Sequence, residues 1–262
     1  MDPVDRLLEL GALYTRGRWR DYPQMGIGPE HVPTLILMAC DPGLNHADPD
    51  DPQVYAPLHA WRALGQLAPP EAAAPLANLL VQLPDDDFAN EDLPRVLGMI
   101  GAAAVDPVVA VLANSAVEER TRISAAGALE EIGKRHPELR DRCVGLLMGQ
   151  LESWAEQPDG LNGFLIHDLV KLGAVEAAPL MEAAFAGGGV DLLIRGDWED
   201  VQVDLGLLPE RITVRQRLNV LDRLRITGLA DRGPAPAGAA ARAKRKKDKR
   251  RKAERASRKR RK

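Results

Sequence analysis

His167 and Asp168 stand side by side, and such a pair suits general acid–base chemistry. Neighbours in sequence cannot face one another on a helix, however, and no nucleophile accompanies them. His46, Asp48, Asp50 and Asp51 alternate oxygen donors in a way that can suit calcium. The turn glycine and closing glutamate of a calcium loop are missing, so the stretch reads as a solvated acidic loop. Gly26-Ile27-Gly28 and Gly187-Gly188-Gly189 lack the strand–turn–helix context that phosphate loops need. Cys40 and Cys143 show no CxxC or Cys/His ligand spacing, and both fall in apolar helical patterns, where a free cysteine is a small core residue. Gly196-Asp197-Trp198-Glu199-Asp200 reads as a capping turn. The sequence therefore predicts no catalytic residue, no metal and no cofactor.

Three features suit recognition instead. Asp85, Asp86 and Asp87, with Glu91 and Asp92 nearby, form an acidic loop between repeat units that could meet a basic partner. Trp61-Arg62 is either an exposed contact pair for a partner or a large packing residue beside a surface arginine. The third is the C-terminal run of cations: Arg242, Lys244, Arg245, Lys246, Lys247, Lys249, Arg250, Arg251, Lys252, Arg255, Arg258, Lys259, Arg260, Arg261 and Lys262. With two acids, that run carries a net +13 inside a chain of net −3, leaving −16 for everything before Arg242.

The elements that must position these residues are helical. Aromatics make up only 4% of the 262 residues, and an apolar fraction of 45% rests on Leu, Val, Ile and Ala, which suits closely packed helices. A short capped helix is predicted over 2–11, with Leu7, Leu8 and Leu10 on its apolar face, and another from about Pro29 to Cys40. Asp41 to Gln53 reads as an exposed loop. From Tyr55 a repeat emerges. Leu64-Gly65-Gln66-Leu67 aligns with Leu97-Gly98-Met99-Ile100, Leu129-Glu130-Glu131-Ile132 and Leu169-Val170-Lys171-Leu172. The leading leucines step by 33, 32 and 40 residues. Pro75, Pro107 and Pro179 follow three of these anchors by 8, 7 and 7 residues, and proline fits a first helical turn, so each is read as opening a second helix. The third unit runs instead from about Glu118 to Lys134 and Glu138 to Leu151, broken at His136-Pro137.

The reading is all-α: about four helix–turn–helix units stacked on one core as a short α-solenoid. Residues 1–54 cap one end and 55–186 form the repeats. Residues 187–230 cap the other end, with Trp198, Val201, Leu205 and Leu207 packing down and a helix near Glu210 to Arg225. Gly233 to Gly238 reads as a linker within 231–262, and the rest of that stretch is a disordered polybasic tail without an apolar stripe.

His59-Ala60-Trp61-Arg62-Ala63-Leu64-Gly65-Gln66-Leu67, followed by Glu71-Ala72-Ala73-Ala74-Pro75-Leu76, is similar to the A..ALG.L....A...L pattern of HEAT repeats of the PBS-lyase-like kind. The resemblance covers roughly residues 55–186, and the body also resembles uncharacterised bacterial HEAT-like proteins. It implies an α-solenoid that binds protein, and it transfers no catalytic residue. Some such proteins end in a cysteine-rich zinc-binding tail, whereas this tail has no Cys. The lyase branch acts on bilin-bearing proteins, which makes an enzyme-associated scaffold one alternative.

The function expected from the sequence is a non-catalytic interaction protein. Its acidic solenoid holds a protein partner, and its tail engages nucleic acid or ribonucleoprotein without sequence preference. A protein-only adaptor with a passive tail is the other alternative. An acidic start without an apolar h-region, apolar runs too short for a bilayer and unpaired cysteines point to the cytoplasm, with no membrane partner.

Overall fold

The computed structural model describes residues 2–11, 19–48 and 50–214. Among these every regular element is a helix and no strand occurs. The main elements are α1 (Val32–Cys40), α2 (Pro42–Asn45), α3 (Ala56–Leu67), α4 (Ala73–Gln82), α5 (Asp87–Ile100), α6 (Ala102–Ala113), α7 (Glu119–Arg135), α8 (Arg140–Leu151), α9 (Asp159–Lys171), α10 (Ala178–Ala186), α11 (Leu192–Arg195) and α12 (Trp198–Asp204), joined in places by 3-10 turns.

Side chains set the boundaries. Asp86 caps α5, its Oδ1 accepting from the Phe88 and Ala89 amides at 2.8 and 2.9 Å. Gly101, at φ 78°, ends α5 and lets α6 begin at the next residue. Asp197 and Asp200 close a capping box at the start of α12.

The four repeat anchors Leu64, Leu97, Leu129 and Leu169 are all fully buried. They lie on α3, α5, α7 and α9, which pack on one another in that order. On the other side α1 packs on α3 and α4, α4 on α6, and α6 on α7 and α8. α11 lies on α9, and α10 meets α12. No helix here could bury its apolar stripe alone, so the core runs continuously from Val4 to Val201. We expect Leu97→Ala to lose roughly 2–5 kcal/mol of unfolding free energy in a urea titration, through lost burial plus the cavity left behind. The glycine after two of the anchors sets the helix spacing. A Cβ on Gly98 would stand 2.6 Å from the Cβ of Glu131 and 3.1 Å from its carbonyl carbon, so α5 and α7 meet backbone to backbone there. Gly98→Ala is therefore expected to cost about 1–3 kcal/mol in the same assay, by forcing the two helices apart.

Several expectations need correction. Residues 2–11 form only a 3-10 turn, Asp5–Glu9, with Asp2 accepting from the Val4 amide at 2.8 Å and Leu7 alone of the three leucines fully buried. The loop over 41–53 contains the one-turn α2, which Asp41 caps. Pro107 does not open its helix. It is the sixth residue of α6, because Gly101 starts that helix directly after α5. The bond that Pro107 cannot donate would have gone to Ala103, which is exposed, so water can take its place. Leu207 is 41% exposed rather than packed down, whereas Val201 is buried. Residues 210–214 are not helical. Arg211 instead reaches back to both oxygens of Asp197 at 2.6 and 2.9 Å, and the Ile212 and Thr213 amides donate to Glu199, which pins this stretch across the start of α12. The remainder of the expected Glu210–Arg225 helix, the linker and the whole basic run Arg242–Lys262 lie outside the described residues.

Candidate functional site

Of the two readings of Trp61, the structure shows the packing one. The side chain is 3% exposed, and its Nε1 donates to the Ala39 carbonyl at 3.2 Å, tying α3 to α1. Arg62 turns the other way. Its Nε and Nη2 both donate to Oδ2 of Asp92, at 2.8 and 2.7 Å, bridging α3 to α5. The Asp92 carboxylate is nearly sealed from solvent, and burial pushes its pKa above the ordinary range despite the opposing charges of Arg62 and Arg95.

The segment before α1 completes this corner. Gln66 on α3 holds it at two points: its Oε1 accepts from the Tyr22 amide at 2.9 Å and its Nε2 donates to the Arg20 carbonyl at 2.6 Å. Trp19 is thereby laid against two guanidiniums, with Cζ of Arg95 4.7 Å and Cζ of Arg62 5.4 Å from the ring centroid. Below it, the Tyr22 hydroxyl donates to His59 Nδ1 at 2.8 Å, and His59 Nε2–H donates to the Gly11 carbonyl at 3.0 Å. Burial pushes Tyr22 up to about 12 and His59 down to about 4, with Arg62 and Arg20 adding to the histidine shift. Both groups are thus neutral at physiological pH and serve to staple the segment down. The corner gathers Arg20, Arg62 and Arg95 around one buried carboxylate.

The acidic loop has structural duties. Asp86 caps α5 and Asp87 pairs with Arg120 of α7 at 2.6 Å, which leaves Asp85 as the exposed acid of the three. In the 46–51 loop, Asp48 and Asp51 accept local backbone amides. Among the described residues, no group of three or more His, Cys, Asp or Glu side chains is placed to hold a metal ion. Cys143 is buried, Cys40 half-buried, and both are free thiols. Gly187 and Gly189 form the bed on which the Trp154 indole lies, since a Cβ on either would collide with it.

His167 and Asp168 diverge, as adjacent helical residues must. Burial, with Lys171 and Arg195 adding to it, pushes His167 down to about 4. Asp168 points inward between α9 and α7, near Glu130, which occupies the position filled by glycine in the two preceding units. Lys134 lies 3.2 Å from Glu130. The Asp168 pKa stands well above 3.8, chiefly through burial and then through the charge of Glu130, with Lys171 and Lys134 opposing. Because folding raises this pKa, the native chain keeps a proton that the unfolded chain has released. The stability due to Asp168 is whole below 3.8 and is lost as pH rises through the folded value, at up to about 1.4 kcal/mol per pH unit. Asp168→Asn should therefore be more stable than the parent at neutral pH, and the gap should close on acidification. A gap that does not change with pH in urea titrations would show that Asp168 is ionised in the fold.

Sequence reasoning missed Trp19, Arg20 and Arg95 as a group, although a signal was present. Arg62 and Arg95 are 33 residues apart, the same step as Leu64 to Leu97, so the repeat itself places them on one edge of neighbouring helices. No helix among the described residues is long and apolar enough to cross a membrane. Comparison with protein families, with curated proteins and with solved structures yields no match.

Proposed function

We propose that the chain is a non-catalytic interaction protein, built as a short α-solenoid of HEAT-like helix pairs. In this reading the acidic body holds a protein partner, and the basic residues 242–262 engage nucleic acid or ribonucleoprotein. The observation that carries it is the charge split: +13 between Arg242 and Lys262 against −16 over the rest. A polycation without apolar residues has no core to join, and polyanions are the partners from which it gains most, through counterion release. The serial packing of α3, α5, α7 and α9 supports the body's part, because stacked helices present one extended face without needing a pocket. The test is a pull-down with the full chain and with a version ending at residue 232, each with and without nuclease. Nuclease-sensitive capture by the full chain alone, alongside nuclease-resistant protein capture by both, fits the proposal. Identical, nuclease-insensitive captures would remove the nucleic-acid arm and leave a protein-only adaptor.

A further inference from the structure

We propose that the corner formed by Trp19, Arg20, Arg62 and Arg95 is a binding site for a phosphate dianion, separate from the basic tail. Three guanidiniums meet there, and Asp92 is the carboxylate buried among them. Arg62 spends two of its donors on Asp92, whereas Arg95 has no acid within ion-pair distance among the described residues and meets only the face of Trp19. A guanidinium held over an indole keeps its N–H donors in the plane at its rim, free for a tetrahedral oxyanion. Arg20 supplies the second observation: its Nε is shielded from solvent yet donates to nothing, an unmet demand inside an otherwise satisfied corner. Its backbone is fixed by the Gln66 clamp, so the group is held in place rather than swinging free.

Charge selects the ligand class. Three cations less one buried carboxylate leave +2, which matches a phosphate or phosphomonoester dianion. Glu91, close enough to act on Asp92, and Asp21, which accepts from the Gln24 amide, are both exposed, where water and salt weaken their opposition. The corner also stands out on a body whose overall charge is strongly negative, so it is a local exception rather than part of a general basic surface.

The experiment uses the full chain and calorimetric titration at constant ionic strength, with inorganic phosphate in one arm and a nucleoside 5′-monophosphate in the other. Saturable one-site binding is expected in at least one arm; binding in both assigns the site to phosphomonoesters as well as free phosphate. Arg95→Gln should weaken it by about tenfold or more, the loss of a charge-assisted hydrogen-bonding group. Arg20→Gln should do likewise, so the proposal survives as a test even if one variant fails to fold. Arg95→Lys should fall between, keeping the charge but losing the stacked fork. A chain with half of the Lys/Arg in 242–262 changed to Gln should bind phosphate as the parent does. Loss of binding in that tail variant alone, unchanged binding in both Arg95→Gln and Arg20→Gln, or no saturable binding in either arm would each overturn the proposal.

Discussion

The intact chain is expected to bind duplex DNA and RNA with little sequence preference, and its affinity should fall by about 10³–10⁵ between 50 and 200 mM salt if about 6–10 phosphates are neutralised. The 15 cations between Arg242 and Lys262 are enough for such a footprint. Counterion release depends on the number of contacts and not on their order. Shuffling the tail should therefore leave the salt slope unchanged, whereas changing half of its Lys/Arg to Gln should roughly halve it. The body sets the competing outcome. At −16 it can hold the tail in cis, in which case the isolated tail peptide would bind far more tightly than the whole chain. Fluorescence anisotropy of the intact chain, the tail peptide and the tail-less body at several salt concentrations separates these cases. Absence of binding by the intact chain even at low salt would leave the body as the sole interaction surface.

The helices were legible because their signals are local and repeated. The leucine–glycine anchors at 33- and 32-residue steps, the His136-Pro137 break and the Asp197 cap all correspond to features of the structure. Where the reading failed, a non-local contact decided the outcome. Pro107 looked like a helix opener because its offset copies that of Pro75, but the backbone freedom of Gly101 moved the start back five residues. Glu210 looked like the start of a helix, but the grip of Arg211 and Thr213 on α12 competes for the same backbone. The corner around Arg62 was half visible. The Trp61-Arg62 pair was noticed, yet which of the two faces outward depends on α1 lying over Trp61, a contact made across 22 residues. Trp19 and Arg20 reach α3 only through Gln66, more than 40 residues away, and no local pattern reports such a clamp.

Arg62→Ala should be among the most damaging single changes in the body, costing about 3–5 kcal/mol at neutral pH, because it leaves a carboxylate buried without its partner. The side chains of Arg62 and Asp92 are 15% and 4% exposed, so solvent screens this pair far less than the surface pairs such as Arg142–Asp106. The pH dependence identifies the cause. Burial already raises the Asp92 pKa, and Arg62 is the strongest group holding it down. Without Arg62 the folded pKa rises further, so the variant's deficit should be largest at neutral pH and should shrink on acidification, as the carboxyl in both states becomes neutral. Asp92→Asn in the Arg62→Ala background should then recover a large part of the loss at neutral pH, since a neutral amide tolerates the site that an unpaired anion does not. Arg62→Lys should lose less, because it keeps the charge while giving up the planar fork and the stacking on Trp19. Urea titrations of the four chains at neutral and acidic pH decide the matter through a double-mutant cycle. A coupling near zero, or an Arg62→Ala deficit independent of pH, would mean that Asp92 regains water when Arg62 is removed, and that the pair contributes packing rather than charge.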